Sequence, residues 1–234
     1  MKCKVIKIGG ALIEDAGLLS RLCRKFASMT SPFVIVHGGG TFAGQLAERL
    51  GIPRKMIDGR RVTDWETLEV TVMVYAGWVN KTLVARLQAL GVNACGLSGC
   101  DLNLVQADRR EGQSIDWGYV GDVRLVRMGT LELLLQARVV PVISPITHDG
   151  KGVLLNSNAD GIAAAVAETL GMYYDVELIY CFDKKGVLTD EGSVIPCLTP
   201  SLYEKYKQSG MIHSGMIPKL DNAFKSVSNG VQAV

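Results

Sequence analysis

Four short runs rich in Val and Ile, Val5 to Ile8, Phe33 to Val36, Val139 to Ser144 and Val176 to Phe182, most constrain how this chain can fold. Each ends at a glycine-bearing or polar break, and longer segments of helical period separate them. A strand buried on both faces reads as a continuous apolar run rather than an alternating one, and parallel strands need helical crossovers between them. The pattern therefore predicts the α/β class, with a largely parallel sheet covered by helices. At 234 residues and 48% hydrophobic, the chain can bury a substantial core in one domain or in one unit with two lobes.

Charge narrows the possible ligands. Lys plus Arg number 25 against 23 Asp plus Glu, a formal net charge of +2, so no broad basic field is available to hold nucleic acid. An anionic ligand must be met by a few placed cations. The cysteines, Cys3, Cys23, Cys95, Cys100, Cys181 and Cys197, lack the paired spacing of a zinc site or redox dithiol and read as reduced thiols. His37, His148 and His213 are scattered, which argues against a histidine-rich metal site. No apolar run approaches the ~20 residues of a membrane span. The start MKCKVIKIGG enters a strand without a signal-peptide core, so a cytoplasmic protein is expected.

The elements follow from periodicity. Leu18, Leu19, Leu22, Cys23 and Phe26 mark a helical face after the first strand, and Ala43 to Leu50 reads as a helix after the second. Thr63 with Glu66 offers a capping box for a long helical region through Trp78 to Leu90. Val92 to Leu97, Leu102 to Ala107 and Val120 to Val126 read as strands, the middle section forming hairpins at an edge of the sheet. Ala159 to Leu170 is a helix, Thr199-Pro200 a helix start with Pro at the first helical position, and Met216 to Ser228 a last helix.

Several constellations could carry chemistry. Lys7 in IKIGG and Lys219 in HSGMIPKL each sit beside glycine at an element boundary, where freed backbone amides and a point charge together suit a phosphate. Either could equally be a solvated surface lysine. Gly38-Gly39-Gly40 ends a strand before a helix, as a tight turn or as an anion cradle. It is neither the nucleotide-binding P-loop nor the dinucleotide fingerprint, which sets a dehydrogenase aside. Asn156, Asn158 and Asp160 alternate before an alanine-rich helix, so one caps it and two are free for a ligand or a neighbouring lysine. Arg61 offers the planar fork suited to a carboxylate, and Asp183 to Leu188 forms a basic glycine turn at a strand end.

Taken in order, IKIGGALI, VIVHGGGTFAGQLAERLGIP, GRRVTD, NKTLVARLQALGVNACGLSG, GYVGDV, LLNSNADGIAAAVAETLG, DKKGVLTD and SGMIPKL resemble the amino acid kinase family from Lys7 to Lys219. The set is most similar to the members that act on N-acylated glutamate. That resemblance implies a three-layer α-β-α sandwich and phosphoryl transfer from ATP with Mg2+ to the side-chain carboxylate of N-acetylglutamate or N-succinylglutamate, an early step of arginine biosynthesis. It implies that Lys7 and Lys219 stabilise the transferring phosphoryl group and that Asp160 orients both. Gly39 and Gly40, with Arg61 and Asn156, would hold the amino acid. The nucleotide would meet Gly9, Gly10, Asp183, Lys184, Lys185, Gly186, Val187, Leu188, Met211, Ile212 and His213, with no dedicated protein metal site. Residues 1–172 would form a lobe for the acyl amino acid and for dimerisation, and 173–234 a nucleotide lobe. A homodimer built on the long helical region is implied, with neither nucleic acid nor membrane as partner.

The sequence departs from the family pattern in places. Cys100 and Leu102 stand where a lysine and a glycine are usual, which leaves a larger acyl group such as succinyl open. Lys184-Lys185 replaces small or apolar residues. The chain stops at Gly230 to Val234, where the family has a further strand and tail, and no helix precedes the first strand, whereas arginine-inhibited hexamers carry one, so a dimer without arginine inhibition is expected. Isopentenyl phosphate kinase shares the fold and the glycine loop, but the arginine of GRRVTD and the asparagines of NSNAD favour an amino-acid carboxylate. A non-catalytic effector-binding protein would not need Lys7, Asp160 and Lys219 together.

Overall fold

The computed structural model describes residues 1–57, 60–112, 114–183, 186–189, 192–212 and 216–234, with backbone alone at 218 and 219. From the N-terminus come β1 (Lys2–Ile8), α1 (Gly10–Glu14), α2 (Ala16–Ala27), β2 (Phe33–His37), α3 (Gly40–Arg49) and the antiparallel pair β3 (Met56–Ile57) and β4 (Arg60–Arg61). A continuous helical stretch follows, as α4 (Trp65–Thr71), a π-helical segment Val72–Val79, and α5 (Asn80–Gln88). Next are β5 (Ala94–Leu97), β6 (Val105–Arg109), β7 (Val120–Val126), α6 (Met128–Gln136), β8 (Val140–Ile143), β9 (Ile146–His148) and β10 (Leu154–Ser157). The chain ends with α7 (Ala159–Gly171), β11 (Asp175–Cys181), α8 (Pro200–Gln208) and α9 (Ile217–Ser228). No helix among the described residues is long and apolar enough to cross a membrane.

The four apolar runs become β1, β2, β8 and β11, and with β5 they make one parallel sheet in the order β11-β1-β2-β8-β5. Side chains alternate across a strand, so each strand feeds two cores. Ile6, Ile8, Phe33 and Ile35 face Leu19, Phe26, Val70 and Leu83 of the α2 to α5 layer. Val5, Val34 and Val36 face Leu131 of α6 and Ile162, Val166 and Leu170 of α7. The expected α/β class and its layers of helices on both faces of a parallel sheet are what the molecule adopts. The C-terminal residues extend the sheet's outer edge locally, because Gln232 N donates to Val176 O and Leu178 N to Ala233 O.

Three expectations need correction. Thr63 is not the helix cap. Asp64 caps α4 by accepting from Thr67 N, while Thr63 is fully buried and its hydroxyl donates to Arg61 O. A buried threonine is worth more as a bridge between segments than at an exposed helix end, where the neighbouring aspartate also suits the dipole. The middle section does not form edge hairpins of the main sheet. β6, β7, β9 and β10 close on one another as a separate four-stranded barrel, and β5 alone joins the main sheet. The expected strand from Leu102 starts only at Val105, because Leu102 and Asn103 both take φ of 52° in a short 3₁₀ turn. Leu102 thus sits in the left-handed region that glycine tolerates best. Helix α6 was not foreseen, since its leucine run merges in sequence with the strand that follows.

The parity that aims Val5 at one core aims His37 at the other. His37 is fully buried; its Nδ1 lies 2.8 Å from Gly38 O, and Asn80 Nδ2 is 3.0 Å from its Nε2 and 2.9 Å from Val142 O. These partners suit the neutral ring with Nδ1 donating to Gly38 O and Nε2 accepting from Asn80. Burial pushes the imidazole down from 6.5 to about 4, the Gly38 carbonyl opposing and Lys81 adding to the shift. Protonation favours the unfolded chain, so the stability due to neutral His37 is complete above pH 6.5 and is lost as pH falls toward about 4. The stability gap between the parent and His37→Gln should therefore shrink by up to about 3 kcal/mol between pH 7 and 4 in urea titrations. Parallel stability profiles would contradict the buried neutral ring.

Candidate active site

The two glycine corners are brought together by β1. Gly38 N donates to Ile8 O and Gly9 N to Cys181 O, both at 2.9 Å, so the C-terminal ends of β1, β2 and β11 finish at one level. Helix α1 starts at Gly10 and α3 at Gly40, directly after them. A side chain at Gly39 would be crowded: its Cβ would stand 3.0 Å from the Tyr75 ring and 3.3 Å from Val79. The corner is bare because a helix packs behind it, and its amides stay open on the other side.

Lys7 lies between Val36 and Tyr180 in register, on the face that packs against α7. Its Nζ makes a 2.8 Å ion pair with Asp160 Oδ1, both side chains being largely buried. Asp160 is held in turn by the start of α7, where Asn158 Oδ1 accepts from Asp160 N at 2.8 Å and from Gly161 N at 3.2 Å. Asn158 is thus the cap, leaving Asn156 and Asp160 to face other partners.

A cavity of about 400 Å³ opens beside these groups, lined by Gly10, Gly38 to Gly40, Arg61, Tyr75 and Asn156 to Ala159 among others. Arg61 Nη2 donates to Gly40 O at 2.9 Å. Asn156 Nδ2 donates to Thr63 Oγ1 at 3.0 Å, which in turn donates to Arg61 O, so the buried Thr63 links the Asn156 side chain to the main chain of Arg61. Ser157 supports Asn156 from below by bonding Thr147 Oγ1 and Gly121 O. Two helix N-termini, those of α3 and α7, meet the same cavity and favour negative charge there. The arrangement suits a small anion bearing a carboxylate and a hydrogen-bonding amide.

Of the residues singled out in the sequence, Gly10, Gly39, Gly40, Arg61 and Asn156 line this cavity, while Lys7 and Asp160 pair with each other beside Ala159 at the start of α7. The nucleotide set is described only in part. Asp183 is exposed, Leu188 bridges to Val194, Val187 O accepts from Ile195 N, and Met211 N donates to Tyr206 O. Ile212 is buried against Tyr203 and Leu220, so its side chain serves a small core. Lys184, Lys185 and His213 lie outside the described residues. Lys219 falls in the first turn of α9, and its side chain is also outside them. Among the described residues, no group of three His, Cys, Asp or Glu side chains gathers to hold a metal. Cys100 and Leu102 do not line the cavity; Cys100 Sγ instead lies 3.1 Å from Ser98 Oγ.

Sequence reasoning missed Arg54, Arg60, Tyr75 and Arg110, which also line the cavity. Arg60 is adjacent to Arg61 and could have been read from the doubled arginine of GRRV. Tyr75 hides inside an apolar helical run. Burial pushes its phenol up, with the nearby Arg61 and Arg54 cations pulling the other way.

The comparisons with known proteins follow the same lines. The family model described as "Amino acid kinase family" matches residues 2–234. The acetylglutamate kinase of Phocaeicola vulgatus is 48% identical over 100% of this chain and 92% of its own length, and that of Bacteroides thetaiotaomicron is 49% identical with the same coverage. Among solved structures, smu.665 from Streptococcus mutans UA159 superimposes with a TM-score of 0.82 at 31% identity, covering 99% of this chain and 95% of that one.

The packing behind the glycine corner is directly testable. Gly39→Ala should push the Tyr75 ring and cost about 1–3 kcal/mol of stability in denaturant titrations. A variant as stable as the parent would show that the corner is not constrained by Tyr75.

Proposed function

The chain belongs to the amino acid kinase family, and from that premise we propose that it transfers the terminal phosphoryl group of ATP to the side-chain carboxylate of an N-acylated glutamate, acetyl or succinyl. The product is an acyl phosphate, and the step is an early one of arginine biosynthesis, in the cytoplasm. The observation that carries this reading is the Lys7–Asp160 pair at the start of α7, whose first residue, Ala159, lines a cavity that also presents Arg61, Asn156 and glycines 10 and 38–40.

The chemistry asks little of the protein beyond position and charge. A carboxylate is already ionised at neutral pH, so attack on the phosphoryl group needs no general base. Arg61 would take the α-carboxylate through its fork, and Asn156 the acylated nitrogen, leaving the side-chain carboxylate near Gly39 and Gly40. Lys7 would meet the charge that develops on the transferring group, and Asp160 keeps that lysine aimed rather than free in solvent. Lys219 would supply a second cation from the first turn of α9. The amides at Gly9 and Gly10 would hold phosphate oxygens, with residues 183–188 and 211–213 at the nucleotide. Magnesium supplies further charge neutralisation when bound on the nucleotide phosphates. Asp160 is engaged by Lys7, so the ion would be held by the nucleotide phosphates and water rather than by a set of protein carboxylates. The division into lobes 1–172 and 173–234 follows this assignment. Trp65, Met73 and Trp78 lie exposed along the long helical region and would form the interface of a homodimer.

Two measurements test the reading. Coupled assays of ADP release with N-acetylglutamate, N-succinylglutamate, glutamate and isopentenyl phosphate should show turnover with the N-acylated acceptors alone. A preference for free glutamate or for isopentenyl phosphate would overturn it. Lys7→Ala should keep the fold and lose at least ~100-fold in turnover, since one such electrostatic group is worth roughly 3 to 4 kcal/mol of barrier. Near-normal turnover in that variant would remove Lys7 from the mechanism.

A further inference from the structure

The peptide between Gly38 and Gly39 is held in one orientation by groups that lie outside the cavity. Gly38 N donates to Ile8 O at 2.9 Å, and Gly38 O lies 2.8 Å from His37 Nδ1. A trans peptide sets its N–H antiparallel to its own carbonyl. With the Gly38 carbonyl turned onto the buried imidazole, the Gly39 N–H is turned away from it, toward the cavity that Gly38, Gly39 and Gly40 line. Gly10 stands on that side: a Cβ built on it would be 3.8 Å from both Gly39 N and Gly40 N. Those two amides cap and open α3, so no carbonyl of the helix answers them.

Asn80, itself fully buried, decides which ring nitrogen of His37 carries the proton. Its Nδ2 lies 2.9 Å from Val142 O and 3.0 Å from His37 Nε2. An amide nitrogen only donates, so its two hydrogens go to those two atoms and Nε2 is the bare, accepting nitrogen. The orientation of that amide is fixed from its other end. Asn80 Oδ1 accepts from Lys81 Nζ at 3.3 Å, and a Cβ on Gly96 of β5 would collide with it. The ring is neutral because burial pushes its pKa down to about 4, so its one proton sits on Nδ1 and meets Gly38 O. A bridge that only held β2 against α5 would need no particular tautomer. Here the proton is placed on the nitrogen that faces the glycine corner.

We propose that His37 is a positioning residue for phosphoryl transfer: set in its Nδ1-protonated form by Asn80, it holds the Gly38 carbonyl down and so aims the Gly39 amide at the oxygens that gain charge as the phosphoryl group moves. The inference rests on the kinase reading above and adds to it a residue outside the cavity. Amides fixed in advance stabilise developing charge because they need not reorient at the moment of reaction. A peptide free to turn over would present the Gly38 carbonyl oxygen to the same anion. His37 therefore acts on turnover, whereas acceptor binding falls to Arg61 and Asn156.

Glutamine and asparagine at position 37 separate this role from a structural one. Asparagine places an amide nitrogen where Nδ1 stands and still donates to Gly38 O, whereas glutamine reaches only the Nε2 position. Rates are measured on the full chain with ATP, Mg2+ and N-acetyl- or N-succinyl-L-glutamate, whichever the parent turns over faster, and are taken per folded enzyme. His37→Gln should lose about 10- to 100-fold in kcat with the acceptor KM changed less than about threefold, and His37→Asn should stay within about tenfold of the parent. Asn80→Ala, which releases the ring without altering it, should show the same split between kcat and KM as His37→Gln. Nitrogen NMR of the labelled parent at neutral pH gives a readout that needs no variant: His37 Nδ1 should carry the proton. A proton on Nε2 overturns the proposal without touching the kinase reading. So does the parent's kcat in His37→Gln or Asn80→Ala, or an asparagine variant as slow as the glutamine one. Turnover of neither acceptor by the folded parent overturns the kinase reading and this proposal together.

Discussion

The site depends on one strand held from both sides. β1 pairs in parallel with β2 and β11 along most of its length, and this fixes where its last residues point. Ile6 and Ile8 are committed to one core and Val5 to the other, so Lys7 must emerge on the α7 face. The same register sets Gly38 N on Ile8 O and Gly9 N on Cys181 O, which aligns two glycine corners at the sheet's C-terminal edge. A slip of one residue would send Lys7 into the opposite layer and break its pair with Asp160.

Around that strand the molecule concentrates charge without burying it unpaired. Lys7 is answered by Asp160, Arg110 by Asp122, and the two helix N-termini of α3 and α7 by the open cavity between them. The polar network under His37 does a different job. It fixes the end of β2 to α5 and β8 through Asn80 and so holds the glycine corner in place without meeting the cavity. Tyr75, from the π-helical segment, packs on Gly39 from behind. Such wide turns recur near functional sites because they displace one side chain from the helical register. Here the displaced region supplies the wall against which the bare corner rests.

Much of this was legible in the residues. Continuous Val/Ile runs gave away buried parallel strands, glycine after a strand marked each corner, and the ordered set of short motifs placed Lys7, Arg61, Asn156 and Asp160 near one another. Local patterns failed where tertiary contacts overrode them. Thr63 fits a capping box by spacing, yet it is buried between Arg61 and Asn156, which lie 95 positions apart in the chain (156 − 61). The short strands β6, β7, β9 and β10 look like hairpins of any sheet, and nothing in their composition says that they close on one another. Leu102 occupies a left-handed turn in which a side chain gives no hint of the backbone. Cys100 and Leu102 do not line the cavity, whereas the doubled arginine at 60 and 61 does.

The central claim is that the phosphoryl group ends on a side-chain carboxylate held opposite Lys7. Trapping with hydroxylamine tests it most directly, because an acyl phosphate is converted to a hydroxamate that is quantified against the ADP released. The account predicts one equivalent of the side-chain hydroxamate per ADP, formed only when an N-acylated glutamate is present. ADP release accompanied by free phosphate and no hydroxamate would contradict it.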